Sequence, residues 1–294
     1  MMNAFVAVVD GNGFARAARK LDVSPPVVTR AVSELETRLG VRLLNRTTRV
    51  VRVTEAGAQY ARDCRRILAS LVDADALLVD MNAAPRGVLT LTAPVLFGAR
   101  FVTPIVTEFL GNHPEVTASC WFLDRMVNLV NEGVDVAVRI GELPDSSLQA
   151  VRVGSVRRII CGAPAYLARH GTPTTPECLA GHRLVSVGSP IPAPEWPTGV
   201  NGAMRAVKVQ PRMTTNTNDS AVAAAVSGFG LTRLLSYQVA DQLHAGELQI
   251  VLEAFEPKAL PVHVVHREGR HASPRARTFL DLAIDRLRAD PRLH

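Results

Sequence analysis

The sequence predicts an α/β protein in three parts: a small head of helices with a hairpin, one long helix, and a two-lobed α/β domain. Three observations predict this. Residues 14–52 hold two amphipathic helix patterns around a short turn, followed by an arginine-studded hairpin. No proline interrupts the stretch from Glu55 to Ala83, which carries a regular apolar seam. After Gly87, strand-like and helix-like segments alternate, as strands joined by helical crossovers do.

Composition agrees with globular cores. The chain has 294 residues, 47% hydrophobic and only 20% charged, which suits two or three domains and excludes a disordered or fibrous protein. No apolar run approaches the roughly 18 residues of a membrane span, and the N-terminus lacks the basic-then-apolar layout of a signal peptide, so a cytoplasmic protein is expected. Cys64, Cys120, Cys161 and Cys178 are scattered, without the spacing of a metal site or disulfide framework. The net charge of +6 is unevenly placed. Residues 1–53 hold nine Lys or Arg against four acids, or +5, which leaves 24 against 23, or +1, for the rest. A basic excess confined to one module is what neutralisation of nucleic-acid phosphates requires.

The head begins with Phe14, Ala17, Ala18 and Leu21 on one helical face. Asp22 and Val23 make the turn. Ser24 is placed to cap a second helix whose first residue is Pro25, where a missing N–H costs nothing. Val28, Ala31, Val32, Leu35 and Leu39 form its apolar face. Pro25, Pro26, Thr29, Arg30 and Ser33 then lie on the outer side of its first turns, where a recognition helix meets the major groove.

The run AARKLDVSPPVVTRAVSELETRLGVRLLNRTTRVVRVTEAG resembles the winged helix-turn-helix of the LysR-type transcriptional regulators. The shared features are the Ser-x-x-x-x-Thr-Arg turn, the Leu-Glu-x-x-Leu-Gly helix end and the Leu-Leu-x-Arg-Thr-Thr-Arg wing. The resemblance implies that Pro26, Thr29, Arg30 and Ser33 face DNA and that Arg46, Thr48 and Arg49 hold the phosphate backbone. Two places depart from the family pattern. Gly13 stands where a capping Ser is usual, and the chain opens directly on Met1 and Met2, so either a short first helix or a true start further upstream is expected.

Thr54 is placed to cap the long helix. Tyr60, Cys64, Ile67, Leu71, Ala74, Leu78 and Met81 then follow in alternating steps of four and three, a heptad seam. Such a seam packs on a partner helix or on the chain's own next domain, and its regularity favours the partner. The matching helix in the resembled family is the dimer linker.

Ala83 to Gly87 break the helix. Strands are expected at 88–93, 116–122 and 134–140, with helices at 98–110 and 125–131 between them, giving a parallel sheet with helices on both faces. A second unit follows Gly154: strands through 159–161, 183–187, 207–211 and 230–234, short helices at 164–170 and 176–179, a proline-rich loop at 189–197 and a helix at 219–227. The chain returns through 262–266 and ends in an amphipathic helix at 273–287. Two crossing strands joining two lobes suggest the hinged cleft of periplasmic-binding-protein-like folds. The segments TAPVLFGARFVTPIVTEFL, EGVDVAVRIGELPDSSL, GLTRLLSYQVADQL and LPVHVVHREGR resemble the effector-binding domain of the same family. The expected division is a DNA-binding domain at 1–54, a linker at 55–84 and an effector domain at 88–294, with lobe I at 88–157 and 266–294 and lobe II at 158–265.

Ligands of open α/β sheets bind where strands end and helices begin. Thr92, Ala93 and Pro94 after the first strand, Arg139 and Ile140 after the third, and Asn216 and Thr217 before the 219 helix meet that description. For Arg139 a structural ion pair is the stronger alternative. No catalytic triad, cofactor loop or metal set is expected. His263 and His266 fall on opposite faces of a strand, and Cys178 and His182 are separated by Gly181. The Gly228-Phe229-Gly230 triplet follows a helix and reads as its cap.

The reading is a sequence-specific, effector-controlled regulator that needs no cofactor. Its expected partners are double-stranded operator DNA, a small-molecule effector and itself, as a dimer or tetramer, with RNA polymerase a further candidate; the lack of a long apolar run predicts no membrane. The alternative is a small-molecule-binding protein or enzyme whose basic head is incidental.

Overall fold

The computed structural model describes residues 1–46, 51–79, 84–144, 148–188, 194–200, 203–266 and 273–294. The chain divides into two compact units, residues 1–88 and 89–294.

In the first unit, α1 (Met2–Gly11), α2 (Phe14–Lys20) and α3 (Pro25–Leu39) surround a core of Phe5, Val8, Ala17, Ala18, Val28, Val32 and Leu35. Asp22 takes a left-handed conformation in the turn between α2 and α3, which Asp tolerates through its short polar side chain. Ser24 precedes α3, but its side chain accepts no capping hydrogen bond. The reason is local. Pro25 and Pro26 have no N–H to satisfy, and Val27 donates to the Ser24 carbonyl instead, at 3.1 Å. Leu39, expected on the buried face, is exposed beside the left-handed Gly40 that ends α3.

Strands β1 (Leu44–Arg46) and β2 (Val51–Val53) pair antiparallel as the hairpin. Thr54 caps α4 (Glu55–Val79), accepting from the Gly57 N–H at 2.9 Å. The seam of α4 is divided. Cys64 is fully buried in the head's own core with Tyr60 packed against it, whereas Ile67 and Leu71 are exposed.

The second unit holds two mixed five-stranded sheets. The first has the order β4 (Val116–Phe122), β3 (Gly87–Ala93), β5 (Val136–Ile140), β14 (Leu260–His266), β6 (Gln149–Val156). Its main core joins Leu89, Leu91, Val138 and Val264 to Phe109 and to Phe279 of α10 (Pro274–Arg288). The helix expected at 98–110 runs from α5 (Val95–Phe97) through a wide π turn (Gly98–Val102) into α6 (Thr103–Asn112). An Asx turn replaces the helix expected at 125–131: Asn128 Oδ1 accepts the N–H groups of Val130 and Asn131, competing with helical bonding.

The second sheet has the order β11 (Met213–Thr215), β8 (Leu184–Val187), β12 (Leu231–Leu235), β7 (Arg158–Gly162), β13 (Gln249–Val251). Helix α8 (Asn218–Val226) covers one face; α7 (Pro164–His170) and a hairpin of β9 (Glu195–Val200) and β10 (Ala203–Lys208) cover the other. The short α9 (Ala240–His244) follows β12.

Neither sheet is purely parallel, against expectation. β3 runs parallel to β5, and β8 to both β11 and β12, but β14 is antiparallel to β5 and β6, and β7 to β12 and β13. The antiparallel members are the crossing strands, which enter each sheet from the other lobe without a helical crossover. β14 pairs within the first sheet from Leu260 onward, so the chain rejoins that lobe before residue 266.

Candidate functional site

In the head, α3 presents Pro25, Pro26 and Arg30 to solvent, with Thr29 and Ser33 partly covered. Its polar groups are engaged within the helix: Thr29 Oγ1 donates to the Pro25 carbonyl at 2.9 Å, and Arg30 Nε donates to Glu34 at 2.8 Å. Both side chains are exposed, so this i,i+4 pair is weak and readily exchanged for a phosphate or base edge. Arg46 is described only in its backbone, on β1, and Thr48 and Arg49 lie outside the described residues.

One residue that sequence reasoning passed over fixes the hairpin to α3. Glu36 Oε1 accepts the N–H groups of Leu43 and Leu44 at 2.8 and 3.0 Å, so the strand after Gly40 starts at a set distance from the recognition helix. Its signal was the Glu of the Leu-Glu-x-x-Leu-Gly helix end.

In the second unit, Thr92 and Ala93 are buried at the end of β3, and Pro94 precedes α5. Thr92 Oγ1 donates to the Trp121 carbonyl at 2.7 Å, which leaves its lone pairs as acceptors. Asp124, also missed in the sequence, accepts the Val95 N–H at 3.0 Å and so occupies the N-terminus of α5. Its other oxygen accepts from Asn218 Nδ2 of α8 at 3.4 Å. The ends of β3 and β4 in one lobe therefore meet the start of α8 in the other.

Asn216 and Thr217 are exposed just ahead of α8. Thr217 is its N-cap, accepting from the Ser220 N–H at 3.3 Å. Ile140 ends β5, and the following Gly141 N–H donates to the Pro261 carbonyl. Arg139 is buried, and its Nη2 donates to the Val127 carbonyl at 3.1 Å. Burial lowers its pKa, with Glu132 opposing that effect and Arg125 adding to it. It pins the 125–132 segment, where Arg125 also makes a two-pronged pair with Glu132.

A helix-turn-helix head followed by a two-lobed α/β domain whose strand ends and helix starts converge defines a ligand-responsive DNA-binding regulator. Comparison with known proteins bears this out. The family model of the LysR substrate binding domain matches residues 82–288, and that of the bacterial regulatory helix-turn-helix protein, lysR family, matches residues 1–58. The chain is 33% identical over 97% of its length to an HTH-type transcriptional regulator of Xanthomonas campestris, covering 84% of that protein. It is 32% identical to the regulator CrgA of Neisseria meningitidis, whose solved structure superposes with a TM-score of 0.63 over 97% of each chain. The full-length virulence activator AphB of Vibrio cholerae superposes with a TM-score of 0.64 at 26% identity, again over 97% of each chain. The chain belongs to the LysR family of transcriptional regulators. It is a DNA-binding regulator with a substrate-binding domain, not an enzyme.

Proposed function

We propose that α3 reads operator bases through Pro25, Pro26, Thr29, Arg30 and Ser33 while Arg46, Thr48 and Arg49 grip the backbone, and that a small effector between the lobes sets when this happens. The observation that carries the DNA half is the exposed Arg30, whose one partner among the described residues is Glu34, in a solvent-facing pair. The effector half rests on the junction of Asp124 with Val95 and Asn218. Thr92, Ala93, Pro94 and Ile140 are the residues proposed to face the effector from one lobe, and Asn216 and Thr217 from the other. Arg139 acts there by holding the Val127 segment rather than by touching the effector.

The active form is a cytoplasmic dimer, or a dimer of dimers, paired through α4 from Ile67 onward. Tyr60 and Cys64 serve the head's own core, so the pairing surface starts later than the heptad pattern alone places it. An effector shifts the arrangement of the heads only by binding one conformation more tightly, and RNA polymerase is the downstream partner.

An electrophoretic shift with the gene's own upstream DNA tests this reading. Arg30→Ala is expected to weaken binding to that DNA by about 1–3 kcal/mol and to relax its sequence preference, and Arg49→Ala to weaken all sequences equally and flatten the salt dependence. Equal binding of the native protein to random and upstream DNA would overturn it.

A further inference from the structure

The start of α3 has no hydrogen-bond donor to offer. A helix ordinarily begins with N–H groups that lack partners within it, and these draw phosphates or other acceptors. In α3, Pro25 and Pro26 have no N–H, and the Val27 and Val28 N–H groups both donate to the Ser24 carbonyl, at 3.1 and 3.4 Å. From Pro25 to Val28 every backbone donor is thus missing or in use. The Thr29 hydroxyl turns back to the Pro25 carbonyl at 2.9 Å. Arg30 is the first residue with donors to spare, since its guanidinium has five N–H groups and gives one to Glu34.

What this end of the helix presents is carbon. Pro25, Pro26 and Val27 are all exposed, and the Val27 residue is 54% exposed, against 37% for Leu39 at the far end of the same helix. The neighbouring Val28 is buried in the head's core, so α3 is seated and Val27 is aimed outward. Val27 stands one turn ahead of Arg30 on the same side. An apolar tip beside a cation, in a head with a basic excess, suits a polyanion that also carries carbon groups. Duplex DNA is such a partner: its major groove presents the C5 methyl of thymine as an apolar mark, and the N-terminal residues of a recognition helix are the ones that meet base edges there.

We infer that Val27, together with Pro25 and Pro26, reads the C5 methyl of a thymine close to the base that Arg30 reads. The inference rests on α3 being the groove-facing helix and adds what its tip selects. Hydrogen-bond readout at this end is ruled out by the missing donors, so the discrimination is by apolar contact alone.

The test replaces thymines in the gene's own upstream DNA with deoxyuridine, one at a time, which removes the methyl and keeps the base pair and its hydrogen bonds. Binding of the full-length chain is read by fluorescence anisotropy at one fixed salt concentration. At a thymine in each half-site the affinity is expected to fall about fourfold, the ~0.8 kcal/mol of one buried methyl group, and elsewhere by less than about twofold. Val27→Ala should weaken native DNA by a similar factor, and its penalty for deoxyuridine at that position should shrink toward none, as a double-mutant cycle between touching groups requires. Its binding to random DNA at low salt should be unchanged, because that binding is electrostatic. The deoxyuridine scan needs no variant, so it decides even where Val27→Ala fails to fold. Deoxyuridine tolerated at every position by a chain that still prefers its upstream DNA would overturn the inference and leave the role of α3 standing. A penalty that Val27→Ala does not reduce would overturn it as well. Equal binding to random and upstream DNA would remove both the inference and the reading beneath it. Full DNA affinity in Val27→Ala with weaker transcription by purified RNA polymerase would give the tip to a protein partner instead.

Discussion

Arg157 grips Glu256 with a two-pronged ion pair, Nε donating to one oxygen at 2.8 Å and Nη2 to the other at 2.7 Å. The same Nη2 reaches Glu253 at 2.7 Å. Arg157 occupies the first crossing, between β6 and β7, and Glu256 the approach to the second, ahead of β14. The clasp thus ties the two segments that join the lobes. Donating hydrogen bonds to these carboxylates, Glu256 first, raises the Arg157 pKa.

Because the Arg157 side chain is 45% exposed and Glu256 only 14%, solvent screens one end and not the other. Arg157→Ala is expected to lower stability by about 1 kcal/mol, mostly by stranding the Glu256 carboxylate, and Glu253→Gln by less. Urea unfolding checks both. The Arg157→Ala deficit should shrink in about 1 M salt, where screening already weakens the native pair.

A second contact across the crossings joins Asp124 to Asn218. Asn218→Asp would set two carboxylates face to face while suiting the N-terminus of α8. Global stability is then expected to hold within about 0.5 kcal/mol. Local opening should rise, with the Val95 amide exchanging its proton about fivefold faster, from roughly 1 kcal/mol of repulsion in a wet cleft. Hydrogen exchange of the full chain measures this, and an unchanged Val95 rate would remove the junction as a moving part.

Glycine substitutions separate tight packing from free surface. A Cβ on Gly57 would lie 2.0 Å from the Leu43 carbonyl oxygen, which the Thr54 hydroxyl also contacts. Gly57→Ala must push α4 away from the start of the hairpin, and is expected to destabilise the head by about 1–3 kcal/mol. Gly111, near the end of α6, has open space where a Cβ would stand, with no neighbouring atom within 4 Å, so Gly111→Ala should be neutral or stabilising by up to about 1 kcal/mol. Thermal unfolding of the two variants side by side distinguishes them.

These residues also show what a sequence yields and what it withholds. The head was readable because its signals are local: Phe14, Ala17 and Ala18 repeat at helical spacing, and Pro25 and Thr54 mark helix starts. The same locality misled at Arg125 to Asn131, where helical spacing lost to the Asn128 side chain bonding its own backbone. Pro197 argued for a loop, yet it sits in β9 of a two-stranded hairpin, where an edge position needs no donated bond. Asp124 could not be chosen from sequence, because its partners Val95 and Asn218 are brought to it only by the fold.

The four cysteines, alike in sequence, differ in thiol acidity. Cys178 is exposed, and the Thr175 hydroxyl, 3.5 Å from its sulfur, leads the contacts that lower its pKa to about 7. Burial raises Cys161 to about 12, and desolvation also raises Cys64 and Cys120. The thiolate is the reactive form, so a thiol's alkylation rate climbs as pH rises through its pKa and then levels off. With iodoacetamide, Cys178 is expected to label first and to reach half its maximal rate near pH 7. Cys120, exposed but less acidic, should follow at higher pH, while Cys64 and Cys161 stay protected until the chain unfolds. Thr175→Val should move the Cys178 midpoint upward toward the ordinary value of about 8.5, because the hydroxyl that favours the thiolate is gone. Peptide mapping after timed labelling at several pH values reads all four sites at once, and a Cys178 midpoint unmoved by Thr175→Val would sink this account of its acidity.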